Sequence, residues 1–136
     1  SLNDGISYFY AEVKRLRALL DELNQGADAD HLPLFFLIDE IFKGTNNRER
    51  LIGAASYVKE VVGKYGVGFI ATHDLELTAL SETYPQVTNY HFREHVEDGR
   101  MVFDYTLRDG ASPTTNALKI MRLEGLPVDE QSVPRT

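Results

Sequence analysis

Leu34-Phe35-Phe36-Leu37-Ile38-Asp39-Glu40 is the stretch from which the fold is read. Five apolar residues follow one another without alternation. A short run of this kind is expected of a strand buried on both faces, as inside a parallel sheet. It ends in two adjacent carboxylates, and ligands of open α/β sheets bind at the carboxyl ends of the strands. A carboxylate released there can hold Mg²⁺, a hard ion that takes oxygen ligands and keeps several waters. Its neighbour can orient or deprotonate the attacking water in phosphoryl transfer. The plainer alternative is that acidic residues after a strand are solvated, or favour a nearby helix N-terminus. For these seven residues alone the plainer alternative is the stronger.

Downstream, Lys43 to Arg50 reads as a polar loop. A helix follows, with Leu51, Ala54, Ala55, Val58, Val61 and Val62 on one face. It stops near Gly63, and Gly66-Val67-Gly68 reads as a turn into a second buried strand, Phe69-Ile70-Ala71. That strand delivers Thr72-His73-Asp74 to the same sheet edge as Asp39 and Glu40. A histidine there can bond a terminal phosphate, or else cap the short helix expected over Leu75 to Leu80. Two strands bringing titratable groups to one edge favours a functional site, because unrelated surface decoration has no reason to choose that edge.

Upstream, Phe9, Val13, Leu16, Leu20 and Leu23 recur at helical steps with charges between them, so Phe9 to Leu23 is an amphipathic helix. It ends at Asn24-Gln25-Gly26, before a polar linker from Ala27 to Leu32. Towards the C-terminus Val87, Asn89 and His91 alternate, and Met101 to Tyr105 follows a Glu97-Asp98-Gly99 turn, which reads as a hairpin. Asn116 to Leu123 gives a last helix, and a polar tail follows Pro127. The expected class is α/β: a parallel sheet with flanking helices and an antiparallel hairpin.

The 136 residues, 43% hydrophobic and 26% charged, suit one globular domain. Fourteen Lys and Arg stand against 21 Asp and Glu, a net charge of −7, so the chain itself is a poor phosphate-backbone binder. No cysteine is present, which excludes disulfides, thiolate metal sites and a Cys nucleophile. No membrane span or basic-plus-apolar leader is visible, and a soluble, cytoplasmic chain is the expectation. Three short patterns fail on context. Gly66-x-Gly68-x-x-Ala71 leads into a strand where a dinucleotide fingerprint leaves one. His73-Asp74 lacks a partnering helical histidine, and His91-x-x-x-His95 lies on a hairpin. No Gly-x-x-x-x-Gly-Lys-Ser/Thr loop occurs, so nothing cradles the β and γ phosphates, and tight ATP binding by the chain alone is not expected.

Phe35 to Thr45, reading apolar run, Asp39-Glu40, two residues, Lys43-Gly44-Thr45, resembles the Walker B and D-loop of the MutS family of DNA mismatch-repair ATPases. Phe69 to His73 resembles that family's following strand and switch histidine. Gly5-Ile6-Ser7-Tyr8-Phe9 with Glu12 resembles its signature segment, and Asn89-Tyr90-His91 and Gly125-Leu126-Pro127 its closing segments. Departures are Tyr8 for Thr, Asn46-Asn47-Arg48 for a Ser/Thr-rich turn, and Thr115-Asn116-Ala117 for Ser-Tyr-Gly, which point to a divergent branch. The resemblance implies a partial P-loop NTPase of the ABC-ATPase type, with the Walker A half absent. Residues 1–127 would be the C-terminal part of the ATPase domain and 128–136 a tail.

By the same resemblance Asp39 serves the Mg²⁺, Glu40 is the base or water-orienting group, and His73 meets the γ-phosphate. Ser7 reaches the nucleotide of a partner subunit, and Gly44, Thr45 and Asn46 form a loop between subunits. The intact protein would be an ATP- and Mg²⁺-dependent ATPase, a homodimer with composite sites, reaching DNA through other domains. The isolated chain would hold no ATP or Mg²⁺, be inactive, bind no nucleic acid directly and self-associate through a bared sheet. The alternative is a non-catalytic dimerisation or binding module on a degenerate ABC-type scaffold. An ABC transporter subunit is disfavoured because no Leu-Ser-Gly-Gly-Gln-type signature is present.

Overall fold

The computed structural model describes residues 2–28, 30–113 and 117–133. They form two compact units, residues 1–88 and 89–136. In the first, α1 (Leu2–Asn24) is followed by β1 (Leu34–Asp39), α2 (Asn47–Val61), β2 (Gly66–Ala71), a 3-10 turn (Leu75–Ala79) and the single-turn α3 (Leu80–Thr83). Strands β1 and β2 pair in parallel from Leu34↔Gly66 to Asp39↔Ala71, with α2 as the crossover. The parallel pair, its helices and the hairpin described below are the expected α/β elements.

Three expectations are revised. First, the pair is covered on one face only. Leu34, Phe36, Ile38, Gly68 and Ile70 are partly covered, whereas Phe35, Leu37, Val67 and Phe69 are 57–70% exposed. The apolar residues of the open face meet each other instead, Phe35 and Phe69 edge to face at 6.1 Å. Second, Gly66 and Gly68 lie inside β2 rather than in a turn before it. The ring of Phe36 lies over Gly68 where a Cβ would stand, so absence of a side chain is what lets the strands close. Third, α2 starts four residues before Leu51. Asn46 is its N-cap, with Oδ1 accepting the Glu49 N–H at 2.9 Å, so residues 47–50 of the expected loop are the first turn of the helix, while residues 43–46 precede it as expected.

Helix α1 likewise begins at Leu2 rather than Phe9, placing the whole segment from Gly5 to Glu12 on a helix. Leu16, Ile41, Ala54 and Leu77 make the buried centre of this unit, with Ile38, Phe42, Leu51, Ala55, Tyr57 and Leu80 packed around it. Helices, the loop after β1 and the 3-10 turn thus converge on one place. The Tyr57 hydroxyl crosses it to donate to the Leu16 carbonyl at 2.7 Å.

In the second unit the hairpin is present: β4 (Glu94–Glu97) pairs with β5 (Arg100–Phe103) around Asp98-Gly99. Both turn residues have positive φ, 52° and 74°, the primed geometry that matches strand twist. Of the alternating Val87–His91 segment only β3 (Tyr90–His91) is strand, and it pairs with β6 (Arg108–Asp109). Helix α4 covers Ala117–Leu123; Asn116 and Thr115 lie outside the described residues. Among the described residues no helix is long and apolar enough to cross a membrane.

Candidate functional site

The site is built where β1 and β2 end. Beyond the last strand pair the Glu40 N–H still donates to the Ala71 carbonyl at 2.8 Å. Glu40 then turns left-handed (φ 54°), and Phe42 does so again (φ 60°). Such conformations cost a non-glycine residue on the order of 1–2 kcal/mol and need support from their surroundings. The support is visible. Ile41 between them is buried in the core, and the Phe42 N–H donates to Glu12 Oε2 of α1 at 2.7 Å. The Phe42 ring packs 6.2 Å from Phe9 and against Gly53. At Gly44 an added Cβ would come within 2.9 Å of the Phe9 Cβ, so α1 passes too close for a side chain there.

This double turn presents the Glu40 carboxylate to the end of β2. Glu40 Oε1 is 2.7 Å from His73 Nε2, and Oε2 is 3.9 Å from Lys43 Nζ. A carboxylate only accepts, so the hydrogen of this contact is on Nε2 when Glu40 is ionised. The His73 side chain is 92% exposed, held by this contact and by its backbone rather than by packing. Asp39 lies exposed on the open face, and among the described residues nothing pairs with its carboxylate. Asp39, Glu40 and His73, expected at one sheet edge, are all there, and Glu40 and His73 touch.

The remaining expected site residues lie elsewhere around this edge. Thr45 donates to Glu49 Oε2 at 2.6 Å and Asn46 caps α2, so both are engaged in starting that helix. Ser7 is exposed on α1 and, among the described residues, its hydroxyl makes no hydrogen bond. Sequence reasoning missed two supports. Glu12 stood in the quoted signature segment, but nothing there signalled that it would hold Phe42. Arg50 reaches from the first turn of α2 to Asp74, Nε to Oδ2 at 2.9 Å and Nη2 to Oδ1 at 2.8 Å. Its hydrogen bonds hold the Asp74 carboxyl below the usual carboxylate range. Residues 24 apart in sequence offered no spacing signal for that pair.

Among the described residues no three His, Asp or Glu side chains gather as a closed metal cage. An ion that keeps its waters and borrows ligands from a phosphate needs less, one or two carboxylates. The unpaired Asp39 fits that role. Glu40, already joined to His73, fits it less well.

The MutS domain V family model matches residues 1–133, nearly the whole chain. The chain belongs to the MutS family. It is 32% identical over 126 residues to the DNA mismatch repair protein MutS of Roseiflexus castenholzii, covering 90% of this chain and 11% of that protein. It is 28% identical over 127 residues to MutS of Geobacillus kaustophilus, covering 93% of this chain and 13% of the relative. To the DNA mismatch repair protein MutS 2 of Haloarcula marismortui the identity is 29% over 126 residues, 90% of this chain and 12% of the relative. This MutS-family chain therefore spans 11–13% of the length of these curated relatives.

Proposed function

We propose that these residues are the Walker B part of a MutS-like ATPase domain, which in the intact protein couples the state of bound ATP to DNA in mismatch repair. The observation that carries the reading is the 2.7 Å contact of Glu40 with His73 beside the unpaired Asp39, at the carboxyl edge of a parallel strand pair. Names of the relatives support the repair role. In this reading residues 1–127 belong to the ATPase domain and 128–136 to a tail. No Gly-Lys-Ser/Thr loop lies within residues 1–136, so we place the phosphate cradle in sequence outside them and take the isolated chain to be inactive.

Bound Mg²⁺ would supply charge neutralisation on the phosphate oxygens. Asp39 is the residue that would hold it, directly or through water. Glu40 orients the attacking water and accepts its proton. His73 first donates Nε2–H to Glu40, and the same N–H, turned to a terminal phosphate oxygen, releases Glu40 Oε1 for the water. Exchange of one hydrogen-bond partner thus readies the base only when the phosphate is present, since a carboxylate oxygen occupied by an imidazole is poorly placed to receive a proton. Ser7 on α1 and the loop Gly44, Thr45 and Asn46 would face the second subunit of a homodimer, completing composite sites.

Replacing Asp39 by Asn in the intact protein tests the assignment, because the amide keeps the shape and removes the charge. Mg²⁺-ATP affinity should fall by roughly ten-fold or more, about the value of one ionic ligand, while affinity for ATP in chelator changes little. Unchanged Mg²⁺ dependence would remove Asp39 from its role.

A further inference from the structure

Arg50 stands in the first turn of α2 and Asp74 directly follows His73. The two-pronged bond between them is well covered, with the side chains only 27% and 15% exposed. His73 itself has no such cover. Its imidazole is placed by the backbone that carries it, which leaves β2 at Ala71 and is fixed by Asp74. Asp74 is held three ways, by its N–H on Thr72 Oγ1 at 3.0 Å, by its carbonyl, which accepts the Leu77 N–H at 3.0 Å, and by its carboxylate on the Arg50 fork. Arg50 in turn is held by α2, whose start is set by the Asn46 cap and the Thr45–Glu49 bond.

We propose that Arg50 and Asp74 are a positioning pair that sets His73 within reach of Glu40 and ties its place to the loop Gly44–Asn46. The inference rests on the nucleotide-site reading above. A planar guanidinium fixes direction as well as distance when it binds a carboxylate through both prongs, which a lysine ammonium cannot do. Any drift of the Asp74 backbone moves the His73 ring, because no packing corrects it.

The test is a cycle of ATP hydrolysis measurements on the intact protein. Arg50→Met should lower kcat by about ten-fold, and by as much as ~100-fold if the ring moves by an ångström, with KM for ATP changed less than about two-fold. Arg50→Lys should recover only part of the loss. In a His73→Ala background, Arg50→Met should cost less than about two-fold more, since no imidazole remains to be placed. Equal losses in both backgrounds would show a merely structural pair and overturn the proposal, as would wild-type kcat in Arg50→Met. His73→Ala with wild-type kcat would instead remove the site reading, and the positioning role with it. Should Arg50→Met fail to fold, Asp74→Asn keeps the shape, breaks the charged fork and serves in the same cycle.

Discussion

His73 Nε2 stands 2.7 Å from Glu40 Oε1, each residue just beyond the end of its strand. The contact follows from the register. Asp39 is opposite Ala71, so the next turn of β1 and the second residue after β2 share one edge. Helix α1 holds the first of these turns through Glu12, and helix α2 holds the second through Arg50. The carboxylate and the imidazole are thereby mounted on separate strands yet kept within one hydrogen bond.

Under the proposed function, exchange of that hydrogen bond would give His73 a measurable share of catalysis. His73→Ala in the intact protein should slow single-turnover ATP hydrolysis by roughly 10²-fold, the usual cost of losing one donor aimed at developing charge. His73→Gln, which still carries an N–H, should lose less. Equal losses in the two variants would contradict a donor role.

Glu12 supports the left-handed turn through its bond to the Phe42 N–H. Glu12→Ala leaves the Phe42 N–H without its acceptor, a loss of about 1–3 kcal/mol where water does not replace it. Amide exchange at Phe42 should quicken by one to two orders of magnitude in consequence. Glu12→Gln keeps an acceptor oxygen and should exchange near the wild-type rate.

The two glycines of β2 should respond differently to a second substitution. Gly68→Ala meets the Phe36 ring first, whereas Gly66→Ala meets Leu23 at 2.5 Å and the backbone oxygen of Leu34 at 2.7 Å. Each should destabilise by about 1–3 kcal/mol, the range for overpacking. Phe36→Leu should restore part of the stability of Gly68→Ala. No side-chain change should restore Gly66→Ala, because a strand carbonyl cannot move aside. Thermal unfolding of the single and double variants checks both.

Burial pushes the Tyr57 hydroxyl up to about 12, from an ordinary value of 10.0. The folded protein holds this proton more tightly than the unfolded chain does. Its contribution to stability is therefore whole below pH 10 and is lost as pH climbs from there towards about 12. Ultraviolet titration of tyrosinate should show a late component that Tyr57→Phe removes.

What the sequence disclosed about the site is what strand ends disclose. An apolar run closing in Asp39-Glu40 and another closing in Thr72-His73 announce two strands and one shared edge. Periodicity also marked α1 and α2, though not their starts, since Asn46 caps α2 from inside a stretch that looks like a loop. The apolar run itself misled on burial. Phe35 and Leu37 have the hydrophobicity of two-sided burial, yet no helix among the described residues of 1–88 covers their face. Composition records a preference for cover and is silent on what supplies it. Long-range polar supports such as Arg50–Asp74 leave no periodic trace at all, because either residue alone is an ordinary surface charge.

Glu40→Gln in the intact protein tests the proposed nucleotide site most directly, since it removes the carboxylate assigned as base while keeping the shape and a partner for His73. Mg²⁺-ATP should bind within about three-fold of the wild-type affinity, while single-turnover hydrolysis falls by roughly 10²–10⁴-fold, the range for losing a general base. Hydrolysis within about two-fold of wild type, with ATP bound, would contradict the assignment of this edge as the catalytic centre.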